Sequence, residues 1–220
     1  MIMKQFPIDR AIIILREFVT HLPAPLVDGM RQENRSSYEI LITTILSLRT
    51  KDTITEKVVP KLFALANTPA DMLKLSSEQI KHVIYSVGFY RNKARSILAI
   101  SHMLVEKYNG KVPYDMDKLL AMPGVGRKTA NLVLTVGFGL PGICVDVHVH
   151  RISNRWGYIK TKTPDKTEFA LRKKLPTEYW IEYNKLLVTL GQQICHPTSP
   201  KCSQCPLEHI CLKVEVTRSR

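Results

Sequence analysis

A chain of 220 residues, 45% apolar with 7% aromatics, holds enough apolar side chains for one sizeable core or two small ones, which excludes the disordered and fibrous classes. A formal net charge of +13 and a pI near 9.6 favour a polyanionic partner, nucleic acid first among them, with a merely basic enzyme as the alternative. The apolar run Ala11 to Leu15 is closely bracketed by Asp9, Arg10, Arg16 and Glu17, and no later stretch suits a bilayer, so neither a signal peptide nor a membrane partner is expected; the location expected is intracellular, cytoplasmic or nucleoid-associated.

In chain order, nearly every segment reads as helix. Pro7 to Thr20 carries Ile12, Ile13, Leu15, Phe18 and Val19 at helical spacing, and Leu22-Pro23-Ala24-Pro25 breaks it. Ser36 or Ser37 is placed to cap a helix running to Leu48; Asp52 or Thr53 starts the next, which Pro60 should kink or divide. Thr68-Pro69-x-Asp71 sets a cap, a first-turn proline and an acid in the preferred order. Ser76-x-x-Gln79 is a capping-box pattern for a helix ending at Gly88, and Arg91 to Tyr108 is amphipathic until Gly110 stops it.

Leu119, Leu120 and Met122 then lead into Pro123-Gly124-Val125-Gly126, and Ala130, Leu132, Val133, Leu134 and Val136 follow. Two glycines two apart suit a tight turn between helices, the second starting near Arg127. Ile143 to Val149 is the one β-like run. Thr163-Pro164 starts another helix, and Thr177 caps a longer one through Leu190 that ends near Cys195. With no repeat, low-complexity tract or linker, any domain boundary is crossed by packed helices.

Four places in this pattern could carry chemistry. The turn amides before Arg127 are left without helical partners at a positive dipole end, which suits an anion such as a nucleic-acid phosphate; an ordinary helix connection is equally open. Lys128, beside Arg127 in that first turn and partly buried against apolar neighbours, sits where a neutral, nucleophilic amine able to form a Schiff base is favoured, the commoner alternative being a phosphate contact. Asp146, inside the otherwise uncharged run Ile143-Cys144-Val145-Asp146-Val147, must find a partner or a task. It could stabilise positive charge developing on a sugar, cap a helix from Val147 to Trp156, or do both. His148, His150 and Cys144 have loose metal-like spacing but read as core groups or supports behind a site.

Finally, Cys195, Cys202, Cys205 and Cys211 crowd into the last 26 residues with the spacing C-x6-C-x2-C-x5-C. Four thiolates so close suit either a tetrahedral Zn²⁺ or the four irons of a [4Fe-4S] cluster, and residue chemistry alone leaves that choice open.

These motifs carry a resemblance. LAMPGVGRKTANLVL resembles the hairpin of the endonuclease III family of helix-hairpin-helix DNA glycosylases, CVDVHVHRISNR resembles that family's catalytic aspartate segment, and the four cysteines are similar in spacing to its [4Fe-4S] loop. A weaker likeness runs from about Ser36 to Lys213.

The resemblance implies an all-α fold of two helical domains. A six-helix barrel at residues 30–140 would carry the hairpin, residues 1–29 and 141–220 would form the cluster domain, and DNA would lie in the interdomain cleft. It implies a monomer whose partner is double-stranded DNA with damaged bases or abasic sites. The damaged nucleotide is extruded, Lys128 attacks C1′ as the base leaves, Asp146 stabilises the cationic transition state, and the Schiff base then drives β-elimination on the 3′ side. The lysine, replaced in monofunctional relatives, favours the bifunctional reading on oxidised pyrimidines such as thymine glycol.

For DNA contacts the resemblance points to Gly124, Val125, Gly126, Arg127 and Lys51, with His148 behind the carboxylate. Arg49 stands where many members carry a glutamine that enters the vacated stack, and Phe89 sits in the second wedge loop, unless it is a core aromatic. Between Cys195 and Cys202 only Lys201 is clearly cationic, where the family often has several basic residues. Two other functions stay open: a mismatch glycosylase, which Arg49 keeps alive, and a helix-hairpin-helix DNA-binding module without catalysis.

Overall fold

The structure, a computed structural model, describes residues 6–22 and 25–220; residues 1–5 and the Pro23-Ala24 part of the expected break lie outside it. Among the described residues there is no strand, and no helix is long and apolar enough to cross a membrane. The chain is all-helical and divides into two compact units, residues 1–25 with 141–220 and residues 26–140.

The unit of residues 26–140 begins with α2 (Leu26–Gln32), which was not anticipated from the sequence. Its centre is α3 (Ser37–Ser47), where a reciprocal capping box between Ser36 and Glu39 fixes the start and every residue from Tyr38 through Leu46 is buried. A helix apolar all round belongs in a core. α4 (Asp52–Leu65) follows as one helix with Pro60 inside it, so the proline does not divide it. Pro60 and Glu56 are both exposed, so the Glu56 carbonyl that Pro60 cannot serve is open to solvent rather than buried without a donor.

α5 (Pro69–Met72) is capped by Thr68 as its sequence requires. α6 (Ser77–Val83) has the Ser76–Gln79 box but stops at Val83, well short of Gly88. α7 (Tyr90–Tyr108) buries Lys93, Ala94, Ile97, Ile100, Ser101 and Leu104 and is tied to α3 by a 2.7 Å hydrogen bond between Tyr38 Oη and Ser101 Oγ. α8 (Met116–Leu120) and α9 (Arg127–Leu132) flank the glycine turn, and α9 widens into a π-helical turn over Val133–Gly137.

The other unit packs α1 (Ile8–Val19), α10 (Val147–Arg155), α11 (Pro164–Lys174) and α12 (Trp180–Gln193) around Ile12, Leu15, Trp156, Tyr183 and Leu187. Phe6 stacks on Trp156 at 4.8 Å between centroids, and Arg16 on α1 pairs with Glu182 on α12. Two expectations fail here. Thr177 caps nothing; it starts a 3-10 turn, Thr177–Tyr179, that leads into α12. The β-like run is not a strand: with no strand beside it, Ile143–Asp146 is irregular and Val147 already opens α10.

Candidate active site

The glycine turn is built from the inside outward. Val125 N donates to Met122 O at 3.1 Å across Pro123 and a Gly124 with φ of +82°, the residue order of a type II turn. Met122 and Val125 are buried and anchor it. A Cβ on Gly124 would suffer twice, from its positive φ and from Ser96 Oγ on α7 at 3.1 Å.

Gly126 is different. It caps α9 in an extended conformation with no side-chain hydrogen bond, and a Cβ there would meet nothing within 4 Å. Nothing inside the protein requires a glycine at that place, so its outer face is left clear for the close approach of something else. Arg127 is half-buried and Lys128 exposed in the first turn of α9. Lys128 lacks the partial burial that would add to its nucleophilic setting: it lies on the exposed side of a turn whose Thr129 and Ala130 are buried. Gly124, Val125, Gly126, Arg127 and Lys128 thus share one hairpin.

In the same unit, the loops after α3 and α6 meet. Arg49 has φ of +53° and Phe89 has φ of +60°, both in the left-handed region, and the Arg49 guanidinium lies 4.5 Å over the Phe89 ring. Phe89 is 54% exposed, which removes its core reading. Gly88 permits the meeting, since a Cβ there would lie 2.7 Å from the Arg49 carbonyl oxygen. Lys51, exposed, is the N-cap residue of α4.

Below these loops is a residue the motifs did not single out. Lys93 is 7% exposed, and its ammonium donates to Leu46 O at 2.8 Å, Leu48 O at 2.5 Å and Thr50 Oγ1 at 3.1 Å. Burial pushes its pKa down to about 8. A signal for it did exist: Lys93, Ile97, Ile100 and Leu104 follow the i, i+4, i+7, i+11 spacing of the buried stripe.

In the unit of residues 1–25 and 141–220, Asp146 caps α10. Its Oδ1 accepts from His148 N at 2.8 Å and Val149 N at 2.9 Å, so the carboxylate is held in one rotamer. His148 is half-buried on the first turn, with Nδ1 3.0 Å from Arg151 Nη2. Further along the same helix, Arg151 donates to Cys195 O at 2.8 Å, and Arg155 donates to Cys195 Sγ at 3.3 Å, His196 O at 2.6 Å and Pro197 O at 2.7 Å. α10 therefore carries the aspartate at one end and braces the cysteine loop at the other.

Cys195, Cys202, Cys205 and Cys211 are all free and half-buried, and all four line one pocket. Burial pushes the Cys205 thiol up to about 11 and raises Cys211 as well, a setting in which bound cationic iron or zinc would offset the cost of the thiolates. Among the described residues no three His, Cys, Asp or Glu side chains form a group that could hold a single metal ion. Lys201, half-buried, precedes a 3-10 turn at Cys202–Gln204, with its amide bonded to Ile194 O at 3.0 Å.

Known proteins match this chain closely. Residues 42–177 match the HhH-GPD superfamily of base excision DNA repair proteins. Endonuclease III of Thermotoga maritima is 46% identical over 198 residues, 90% of each chain. That of Escherichia coli strain K12 is 40% identical over 176 residues, 80% of this chain and 83% of its own. Among solved structures, a trapped covalent intermediate of endonuclease III with DNA, an estranged-adenine complex, superposes with a TM-score of 0.84 at 38% identity over 94% of each chain.

Proposed function

We propose a function from one premise: the chain belongs to the HhH-GPD superfamily of base excision DNA repair proteins and, within it, to the endonuclease III family. It is a DNA glycosylase and abasic-site lyase whose partner is damaged duplex DNA. The assignment of residues and substrate is our own. The observation that carries it is the exposed Lys128 one residue past the start of α9, beside a glycine whose outer face is clear.

The damaged base is extruded from the stack, because its C1′ is out of reach inside a duplex. The Lys128 amine forms a bond to C1′ as the bond from C1′ to the base nitrogen breaks and the base leaves with a proton. Asp146, fixed by its cap bonds, stabilises the positive charge that builds on the sugar and takes part in the proton transfers. Breaking of the C1′–O4′ bond, with O4′ taking a proton, opens the sugar and turns this adduct into an iminium that acidifies C2′; loss of that proton expels the 3′ phosphate, and water then hydrolyses the imine to free Lys128. Phosphates are gripped by the hairpin amides of Gly124 and Gly126 and by Arg127, Lys51 and Lys201, whereas the Val125 amide is already taken by Met122 O and Val125 serves to anchor the turn. Oxidised pyrimidines of the thymine glycol kind are the proposed substrates.

The four cysteines are proposed to hold a [4Fe-4S] cluster. The donor set supports it: four thiols line one pocket, and among the described residues no three His, Cys, Asp or Glu side chains converge as a single metal ion requires. Bound there, the cluster supplies iron–thiolate bonds that close the loop braced by Arg155. Its broad visible absorption separates it from a colourless zinc site.

The function is tested with duplexes containing thymine glycol, a G·T mismatch or an abasic site, each treated with borohydride. A covalent adduct with the wild type that is lost in Lys128→Gln, with thymine glycol cleaved fastest, is the expected result; no adduct with any duplex sinks the lyase assignment. Arg49 in the wedge position supports a second reading, a mismatch glycosylase of the same fold, and faster cleavage of the G·T duplex would select it.

A further inference from the structure

The buried Lys93 has no part in the chemistry above, yet its ammonium sits where the Arg49 and Phe89 loops join. Two of its three bonds go to carbonyls at the end of α3, Leu46 O and Leu48 O, on the chain leading into Arg49. The third goes to Thr50 Oγ1, which also accepts from Gly88 N at 3.1 Å, one residue before Phe89. A single buried point thus ties together two loops that lie 40 residues apart at Arg49 and Phe89.

Both of those residues hold left-handed backbone conformations, which L residues leave unless the surroundings hold them there. An ammonium on a four-carbon stem offers three donors and no acceptor, which matches two carbonyls and a hydroxyl. A second nucleophilic role for Lys93 is ruled out by the same geometry: the amine is buried and directed at three oxygens.

We propose that Lys93 is a positioning residue for DNA interrogation, holding Arg49 and Phe89 as one stacked probe that fills the gap left by the extruded nucleotide. The proposal rests on the glycosylase and lyase function above. It separates two steps. Extrusion from a duplex needs the probe, whereas Lys128 reacting with an abasic site in a single strand does not, because no stack has to be filled.

The test uses Lys93→Met, which keeps the stem and removes the donors, together with Thr50→Val and its rescue variant Thr50→Ser. Three quantities are read: single-turnover base release from a thymine glycol duplex, borohydride trapping on a single strand with a preformed abasic site, and fluorescence of 2-aminopurine opposite the lesion. In Lys93→Met and Thr50→Val, duplex base release falls at least ~10-fold and the fluorescence change on binding is lost, whereas single-strand trapping stays within ~2-fold. Thr50→Ser restores both duplex readouts.

Unchanged duplex rates in the variants overturn the proposal, as does an equal fall in duplex and single-strand activity, which marks a merely structural lysine. If Lys93→Met does not fold, the Thr50 pair decides alone. A wild type that forms no adduct with either DNA brings down the functional reading and this proposal together; a wild-type adduct with unaltered variants brings down only this one.

Discussion

Asp146 poses the sharpest question at the scale of single residues, because one carboxylate caps α10 and is assigned to the chemistry. Asparagine caps a helix about as well as aspartate but carries no charge. Asp146→Asn is therefore expected to melt close to the wild type while base release falls by about 10²- to 10⁴-fold. Asp146→Ala should lose the rate and, in addition, about 1 kcal/mol of stability, read by thermal melting. Activity kept by Asp146→Asn, with stability lost only in Asp146→Ala, would reduce Asp146 to a cap.

His150, four residues along, gives a pH dependence. Its Nδ1 lies 2.7 Å from Thr167 Oγ1, and burial pushes its pKa below the usual value near 6.5. The unfolded imidazole then takes up its proton first as pH falls. The stability is present above about pH 6.5 and is lost as pH drops through that value toward the lower folded one. Chemical denaturation at about pH 7.5 and 5.5 should show a smaller loss in His150→Gln than in the wild type.

At the scale of elements, the two hairpin glycines should respond in opposite ways. Gly124→Ala forces a side chain into positive φ against Ser96 and should cost about 1–2 kcal/mol. Gly126→Ala meets open space and should cost about 0.5 kcal/mol, yet it should weaken DNA binding because the added methyl occupies the face left for a phosphate. Binding by Gly126→Ala equal to the wild type would show that this face meets nothing.

This contrast also marks how far the sequence could be read. The capping boxes at Ser36 and Ser76, the Thr68-Pro69 start and the Pro-Gly turn were legible because each is decided within about four residues. α2 was not, since seven residues between a proline-rich break and Arg35 leave too short a pattern to show a period. Thr177 and Pro60 misled for a related reason: a cap or breaker residue names a local preference, and packing or solvent access at that place decides whether it is used. Among site residues, the hairpin, Asp146 and the cysteines were visible as motifs. The stacking of Arg49 on Phe89 and the bonds of Lys93 to the end of α3 were not, because they join segments about 40 residues apart.

For the molecule as a whole, the cysteine loop belongs to the packing of one unit. Leu207 is fully buried, and Cys195, Cys205, Ile210 and Cys211 pack against the core that includes α10 and α12. Replacing Cys205 by serine, or stripping the proposed cluster with a chelator under oxidising conditions, should lower the stability of residues 1–25 and 141–220 by on the order of a few kcal/mol. Hydrogen exchange should then show lost protection in α10 and α12 and retained protection in α3 and α7. A uniform loss across both units would contradict an effect confined to one.

That unit is assembled from the two ends of the chain, which has a consequence for the order of synthesis. Ala11, Ile12 and Leu15 on α1 are fully covered in the finished protein by a core that includes Leu187 and Leu190 on α12. At roughly 5–20 residues per second, a ribosome takes on the order of ten to thirty seconds to travel from one to the other. Once residue 140 has been made, the unit of residues 26–140 has all its own helices and can close, while the apolar stripe of α1 still waits without its partner. The newborn chain therefore spends most of its synthesis with one sticky helix uncovered, the last part of it beside a closed second unit, and a chaperone would find its target there.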